Sequence, residues 1–565
     1  MKKIITLKTA LFCLILIFMQ TQPIQAQWSN DPDVNTCLVN LDRDQDMNCI
    51  VNDGLGNFII GWHDNRFSSD NQFLNGLIYA QKLNPDGVIQ WTDNGIRVNI
   101  DENSDGHSYP EIIKSENGKA IFVWRKFAGS FQTNTYAGKT DENGNRVWGD
   151  VNVFNKSILS LPVITPDHSN GVVITTFEQL GWTYRSDIIA QRINSEGERK
   201  WGYQGIYICD ADEDQKISRV VVNAGGDAFF VWQDKRTDTN GDIYAQRVDS
   251  SGIIKWDNNG IVVCNNPNTQ DIPLFINDNN SGIIAAWYGQ NTEGDWGTYM
   301  QRIDKDGNML WGNDGILLIA NSILNEIVSD GNGGAIVIST TYTGQKYNIY
   351  AQRINEDGVK QWPSGGVFIG GSSAQISSVV ATADGAGGVI TAWTDAGNGA
   401  GTDNIYAQRV SLSGTILWQA GGVAITTAPD KQGYPSIASD GDEGAIITWD
   451  DYRNGFVNSD IYVQKIDKNG NLGGVPSLIH PDTEVSSPVS IYPNPVKDNL
   501  YLKLNRAEKS RIAIRLFSVD GSLIKEAQYK NRSTFNIPLT DINKGIYIIE
   551  VKGENINYRT KFVKQ

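Results

Sequence analysis

Apolar positions along this chain fall in short alternating runs parted by glycine-bearing turns, and the order of the runs recurs about every 55 residues, the spacing of propellers and arrays. One unit shows the pattern. In the fifth, the runs are Pro273–Ile276, Ile283–Trp287, Tyr299–Ile303 and Gly315–Leu318, with turns at Ser281-Gly282 and Asp306-Gly307. Runs of this length, bounded by Gly, Asp and Asn, read as four antiparallel strands. Turn glycines recur at Gly87, Gly144, Gly197, Gly252, Gly307, Gly358, Gly414 and Gly470, and tryptophan stands four residues after the first seven, from Trp91 to Trp418. Four strands in each of eight units predict an all-β chain whose residues 27–474 form an eight-bladed β-propeller.

The pattern stops early at one end and starts late at the other. After Gly470 the tryptophan position holds Gly474, whereas Gln27-Trp28 to Val34 lines up with Lys255-Trp256 to Val262, the outermost strand of the fourth unit. An N-terminal strand is therefore expected to complete the eighth blade as a clasp and remove an open sheet edge. The arrangement resembles the clasp of WD-repeat propellers, without their Gly-His and Trp-Asp signature. The third-to-fourth-strand turn also resembles the Asp-box of sialidases, although there Asp and Gly are one residue apart and Trp follows sooner.

Residues present in every copy serve what every copy does. The tryptophans are expected to pack between blades, and Gln81, Gln191, Gln246, Gln301, Gln352, Gln408 and Gln464 to satisfy backbone groups. The Trp-x-Asp-x-Arg strings at Trp62, Trp232 and Trp449 are expected to form ion pairs, Asp64 with Arg66, Asp234 with Arg236 and Asp451 with Arg453.

The ends and the composition set the compartment. Lys2, Lys3 and Lys8 precede an apolar stretch, Thr9 to Met19, too short for about 30 Å of hydrocarbon. Small residues before Gln27 complete a secretory signal peptide over 1–26. No later segment resembles a transmembrane span. The whole chain has net charge −16, the signal and the tail are basic, and residues 27–488 carry −26. Such a body repels phosphate backbones, which argues against nucleic acid and for cationic or neutral partners. Four cysteines remain after the signal. Cys37 and Cys49 flank the connection into the first blade, where a bridge would fasten the clasp; Cys209 and Cys264 end equivalent outer strands, beyond the roughly 7 Å Cα limit of a disulfide.

From Pro488 the composition changes. Tyr492-Pro493-Asn494-Pro495 opens a segment that continues through Asn499–Leu504, Ile512–Phe517, Asp520-Gly521, Phe535–Leu539 and Gly545-Ile546-Tyr547, and ends at Lys561-Phe562-Val563-Lys564. Its alternation reads as a small β-sandwich of about seven strands. These motifs, in this order, resemble the type A C-terminal sorting domain of the Bacteroidetes type IX secretion system. The resemblance implies that residues 489–565 are an address recognised by that machinery at the outer membrane, with 475–488 as linker, and that the cargo is released or tethered at the cell surface.

Function belongs on the face that carries the variable loops. Three connections there are acidic: Asp42-x-Asp44-x-Asp46, Asp101-x-Asn103-x-Asp105-Gly106, and Asp210-x-Asp212-x-Asp214. Alternating oxygen ligands of this kind suit Ca2+, and the second string matches the opening of an EF-hand loop, although Ile112 stands where the closing acid belongs. Solvated acidic loops are the other reading. Trp182 and Trp296 lie outside the repeat, in loops of blades three and five, where aromatics serve as platforms for sugars or peptides or fold onto their own blade. The histidines His63, His107, His168 and His480 form no Ser-His-Asp order or His-Glu-x-x-His string. The expectation is a non-catalytic module that binds a glycan or protein. The alternatives are a glycan-cleaving enzyme using carboxylates in the central funnel, which needs no histidine, and a structural surface component.

Overall fold

The computed structural model describes residues 28–67, 76–100, 106–127, 133–156, 158, 160–179, 185–344, 346–397, 401–455 and 458–473, and in the tail 489–492, 496–497, 499–504, 511–518, 523–530, 532, 534–553 and 557–564. The chain divides into two compact units, Met1–Pro476 and Ser477–Gln565.

Unit one is built of eight four-stranded antiparallel sheets. Seven take four consecutive strands from innermost to outermost. The eighth combines Gln432–Ser439, Ala445–Asp451 and Asp460–Ile466 with Thr36–Val39 from the other end of the chain, which pairs antiparallel with Asp460–Ile466. The innermost strands pack side by side in chain order, and the last returns to pack on the first, Gln45–Asn52, so the sheets close into a propeller-type ring. The clasp strand begins later than the alignment with Trp256 places it. A turn at Asp31, closed by Val34 N–H donating to Asp31 O at 3.1 Å, inserts residues before Thr36 and leaves Val34 exposed. Arg453 holds that turn by donating to Asp33 O and to Asn35 Oδ1.

The repeated residues latch each sheet to the next. Trp256 Nε1 donates to Lys305 O of the following sheet at 3.1 Å, and its ring lies against turn residue Gly307, where a Cβ would meet the indole at 3.3 Å. Trp28 makes the same contact on the first sheet: Nε1 donates to Pro85 O at 2.9 Å, and a Cβ on Gly87 would sit 2.9 Å from the ring. These glycines also have positive φ, 81° at Gly87 and 90° at Gly307, so they have two reasons to lack a side chain. Gln246 accepts from the N–H groups of Arg247 and Trp256 and donates to Asp257 O, and Gln464 donates to Ser29 O at 2.5 Å. The basic residue after each glutamine adds a tie. Arg247 pairs with Asp227 at 2.5 Å and donates to Lys305 O, the same carbonyl that Trp256 uses. Between the latches lie shared apolar cores, one joining Phe229, Val231 and Ile243 to Phe275, Ala285 and Trp287 of the neighbouring sheet.

The Trp-x-Asp-x-Arg strings are ion pairs with an added ring contact. Arg66 meets Asp64 at 2.6 Å, Trp62 Nε1 donates to the same carboxylate at 2.7 Å, and the guanidinium sits 3.8 Å from the Tyr79 ring centre. Arg236 and Arg453 repeat it on Tyr244 and Tyr462. The expected Cys37–Cys49 bridge does not form. All four cysteines described are free thiols. Cys37 lies on the outermost strand of one sheet and Cys49 on the innermost of its neighbour, where Cys49 Sγ reaches Gly61 O. Burial pushes Cys37 and Cys264 up to about 11 and Cys209 to about 12, so these thiols are inert near neutral pH.

One feature of the innermost strands has no counterpart in the repeat grammar. Most carry a β-bulge near the start, as between Asp46 and Cys49, with a residue in the left-handed region: Met47, Tyr109, Ile217, Ile272, Ser378 and Tyr434 at φ between 48° and 55°. For Ile217 and Ile272, β-branched, this conformation costs about 1–3 kcal/mol each. The bulge bends the strand and re-aims its side chains at the mouth of the central channel.

Unit two has a three-stranded sheet of Val489–Tyr492, Asn499–Leu504 and Thr534–Pro538, and a four-stranded sheet of Leu523–Lys530, Arg511–Ser518, Gly545–Lys552 and Asn557–Lys564. Its core includes Leu500, Leu502, Ile514, Leu516, Phe535, Ile549 and Phe562. Leu500, Leu502 and Leu504 point inward from alternate positions of one strand, the period-two pattern of a half-buried sheet.

Candidate functional site

The start of each innermost strand pairs with the end of the second, as Gln45 does with Asp64, so the bulges lie on the face that carries the loops between second and third strands. There a cavity of about 520 Å³ opens, lined by Asp46, Met47 and Asn48, by Tyr109 to Glu111, and by Tyr434, Ser436, Asp450 and Tyr452 among others. This is the size of a small-ligand site.

Its walls are held by bonds across the seam where the ring closes. Asn48 donates its amide to Asp450 Oδ1 at 2.7 Å and to Tyr434 O at 2.9 Å, Met47 N–H donates to Asp450 Oδ2 at 3.1 Å, and Ser436 Oγ donates to Asn48 O at 3.0 Å. Asp46 Oδ1 meets His63 Nδ1 at 2.7 Å. The imidazole is fully buried and occupies the space a side chain at Gly76 would need. Burial, reinforced by the Asp46 charge, raises the Asp450 carboxyl far above the usual carboxylate range. Tyr434 is exposed, Tyr109 and Tyr452 are half-buried, and the Lys431 ammonium stands 5.0 Å and 5.6 Å from the rings of Tyr434 and Tyr452.

The fifth residues of three alternate innermost strands are Glu111, Arg219 and Glu326, and Glu111 also lines the cavity. Burial pushes both glutamates up to about 7, outweighing the opposing pull of Arg219. The Glu111 side chain is exposed to solvent and that of Glu326 is half-buried.

The residues singled out from sequence are dispersed. Trp296 is half-buried and stacks on Tyr288 of its own sheet at 5.1 Å. Trp182, Asp101, Asn103 and Asp105 lie outside the described residues. Asp42 is exposed, Asp44 accepts from Ser459, and Asp46 faces the cavity. Asp210 is exposed, Asp212 lies 3.5 Å from Arg185, and Asp214 pairs with Lys216 at 2.9 Å. Among the described residues no group of three His, Cys, Asp or Glu side chains is placed to hold a metal ion. Sequence reasoning missed Asn48, Tyr109, Tyr434, Asp450 and Tyr452. The signal available was the Tyr-Pro pair at the same place in two units, Tyr109-Pro110 and Tyr434-Pro435.

In the tail, Tyr492 is in Val489–Tyr492, Gly545 and Tyr547 in Gly545–Lys552, and Lys561 and Lys564 in Asn557–Lys564. Tyr547 stacks on Phe562 at 5.9 Å. Pro493, Asn494 and Pro495 lie outside the described residues.

The fold is all-β with a propeller-type ring ahead of a sandwich tail, and the tail assigns a route. Residues 490–565 match the secretion system C-terminal sorting domain family, which supports export and either secretion or surface attachment. No helix among the described residues is long and apolar enough to cross a membrane. No curated protein matches the chain. Among solved structures, a PL25 ulvan lyase is 12% identical with a TM-score of 0.38, covering 78% of this chain and 96% of its own. Polysaccharide lyase Uly1 is 9% identical at 0.39, covering 63% and 89%. A protein of unknown function from Dyadobacter fermentans DSM 18053 is 9% identical at 0.36, covering 77% and 98%. No activity is carried over from these to this chain.

Proposed function

We propose that this is an exported propeller that binds a glycan at the channel mouth without cleaving it. The observation that carries the reading is the 520 Å³ cavity, where Tyr109, Tyr434 and Tyr452 offer ring surfaces beside the acceptors of Asp46, Asn48 and Asp450. Rings beside hydrogen-bonding groups suit a sugar, whose apolar face stacks while its hydroxyls are bonded. Type IX export brings such a site to the outside of the cell.

The test is a panel of polysaccharides presented to the full-length chain and scored for both binding and product release. Binding without product is expected, with Tyr109→Ala and Tyr434→Ala each weakening it by about 1–3 kcal/mol, the range for an aromatic anchor. Equal affinity of both variants and wild type would move the site elsewhere. A second reading, glycan cleavage, is favoured by Glu111 and Glu326, since a carboxyl that titrates near neutrality is suited to donate a proton to a leaving oxygen. Product release abolished by Glu111→Gln or Glu326→Gln would replace the binding reading with it.

A further inference from the structure

The polar groups on the cavity wall are strongly one-sided. Asp46, Glu111 and Asp450 contribute carboxyl oxygens, and no Lys, Arg or His is among the lining residues described. Asn48 adds to the imbalance. It is nine-tenths buried, both its donor bonds are turned into the wall toward Asp450 and Tyr434 O, and its Oδ1 has no hydrogen-bond partner. A buried amide oxygen left without a donor is costly, so the ligand that fits is one that supplies N–H or O–H groups there. Asp46 and the ionised fraction of Glu111, which burial pushes up to about 7, favour positive charge there and oppose a uronate or a sulfate ester, while burial holds Asp450 largely neutral. The tyrosine rings act in the same direction, because their faces attract an ammonium.

We infer that the mouth cavity selects a sugar bearing a free amine, its ammonium placed among Asp46, Glu111 and the Asn48 Oδ1. The inference rests on the glycan reading and narrows it to a chemical class. His63 Nδ1 meets Asp46, Lys431 stands by the rings of Tyr434 and Tyr452, Arg125 by the ring of Tyr109, and Arg219 acts on Glu111, and none of these four side chains lines the cavity. They moderate the negative charge and leave the cavity surface to acceptors. The acidic body of the chain adds long-range attraction for a cationic polymer, which salt screens.

The experiment is calorimetric titration of the full-length chain with four probes: a glucosamine tetramer, its N-acetylated counterpart, a galacturonate tetramer and a trilysine peptide. The glucosamine tetramer is expected to bind at least about tenfold tighter than the acetylated one, a difference of about 1.4 kcal/mol, and the galacturonate tetramer not to bind. Glu111→Gln and, separately, Asp46→Asn should each remove most of that preference, bringing the affinities for the free and acetylated tetramers together whatever either does to binding overall. Glu111 lies in the channel away from the His63 contact, so its variant remains informative if Asp46→Asn loosens the wall. Equal affinity for the free and acetylated tetramers, or tight galacturonate binding, overturns amine selection while the glycan reading survives. Binding of trilysine alone, or of no probe together with an empty polysaccharide panel, overturns the glycan reading itself.

Discussion

His63 shows how much one missing side chain can settle at the residue scale. Its ring is fully buried, its Nδ1 is 2.7 Å from Asp46, and it fills the space beside Gly76. A methyl at Gly76 therefore drives the imidazole off its site and frees the Asp46 carboxylate. Gly76→Ala should cost about 1–3 kcal/mol, as overpacking does, and weaken ligand binding as well. Gly365→Ala, where a Cβ meets nothing within 4 Å, is the control and should leave both unchanged. Denaturant midpoints and affinity measured on the two variants decide it; a neutral Gly76→Ala would mean that His63 does not hold Asp46. Residues of this kind were not legible beforehand. The repeated Trp, Gln and Asp-Gly positions could be read because each recurs around the ring and has one packing duty. Asn48 and Asp450 occur once each and are brought together across 402 residues only by closure of the ring, so no local pattern marks them.

At the scale of elements, the four-run reading of each unit matches the sheets because turn glycines and apolar alternation mark strand ends directly. The bulges were not read from it, since a single extra residue barely disturbs a period of two. Pro110, Pro273 and Pro435 were the available hint: a proline in the innermost strand is tolerated because that strand's channel side has no ladder to complete, and each follows a residue in the left-handed region. The clasp is the element whose loss is most informative. Removing residues 27–40 deletes Trp28 with its bond to Pro85 and the strand Thr36–Val39, leaving Asp460–Ile466 as an open edge and Gly87 without its indole. The truncated chain should melt well below the intact one and aggregate. Trp28→Ala alone, which keeps the strand, should cost about 3–5 kcal/mol, the range for a buried tryptophan. An unchanged melting temperature after the truncation would show that this strand does not close the ring.

At the scale of the whole molecule, the tail and the ring make separate predictions. The tail has its own core, so deleting residues 489–565 should leave the ring folded and the protein held in the periplasm, followed by fractionation; normal surface delivery would refute the address. The ring's prediction concerns pH. Glu111 and Glu326 titrate near 7 in the folded chain against 4.5 for an ordinary glutamate. Below about 4.5 both states hold these protons and nothing is gained or lost. Between about 4.5 and 7 the unfolded chain releases them while the folded chain keeps them, so stability falls as pH rises through that window and levels off above it. Asp450, raised by burial and by Asp46, acts with the same sign. Carboxylates such as Asp53, held down by hydrogen bonds from Lys82, Asn57 and Leu55 against its own desolvation, act with the opposite sign at lower pH. The total curve mixes these contributions, and the difference between wild type and a single variant separates them. Glu111→Gln and Glu326→Gln should each make the decline from pH 5 to pH 8 shallower, while Arg219 keeps one glutamate partner in either variant. Melting curves across that range carry the test. Slopes identical to wild type in both variants would mean that the channel is wide enough for bulk water, and would remove the reason for expecting either glutamate to carry a proton at neutral pH.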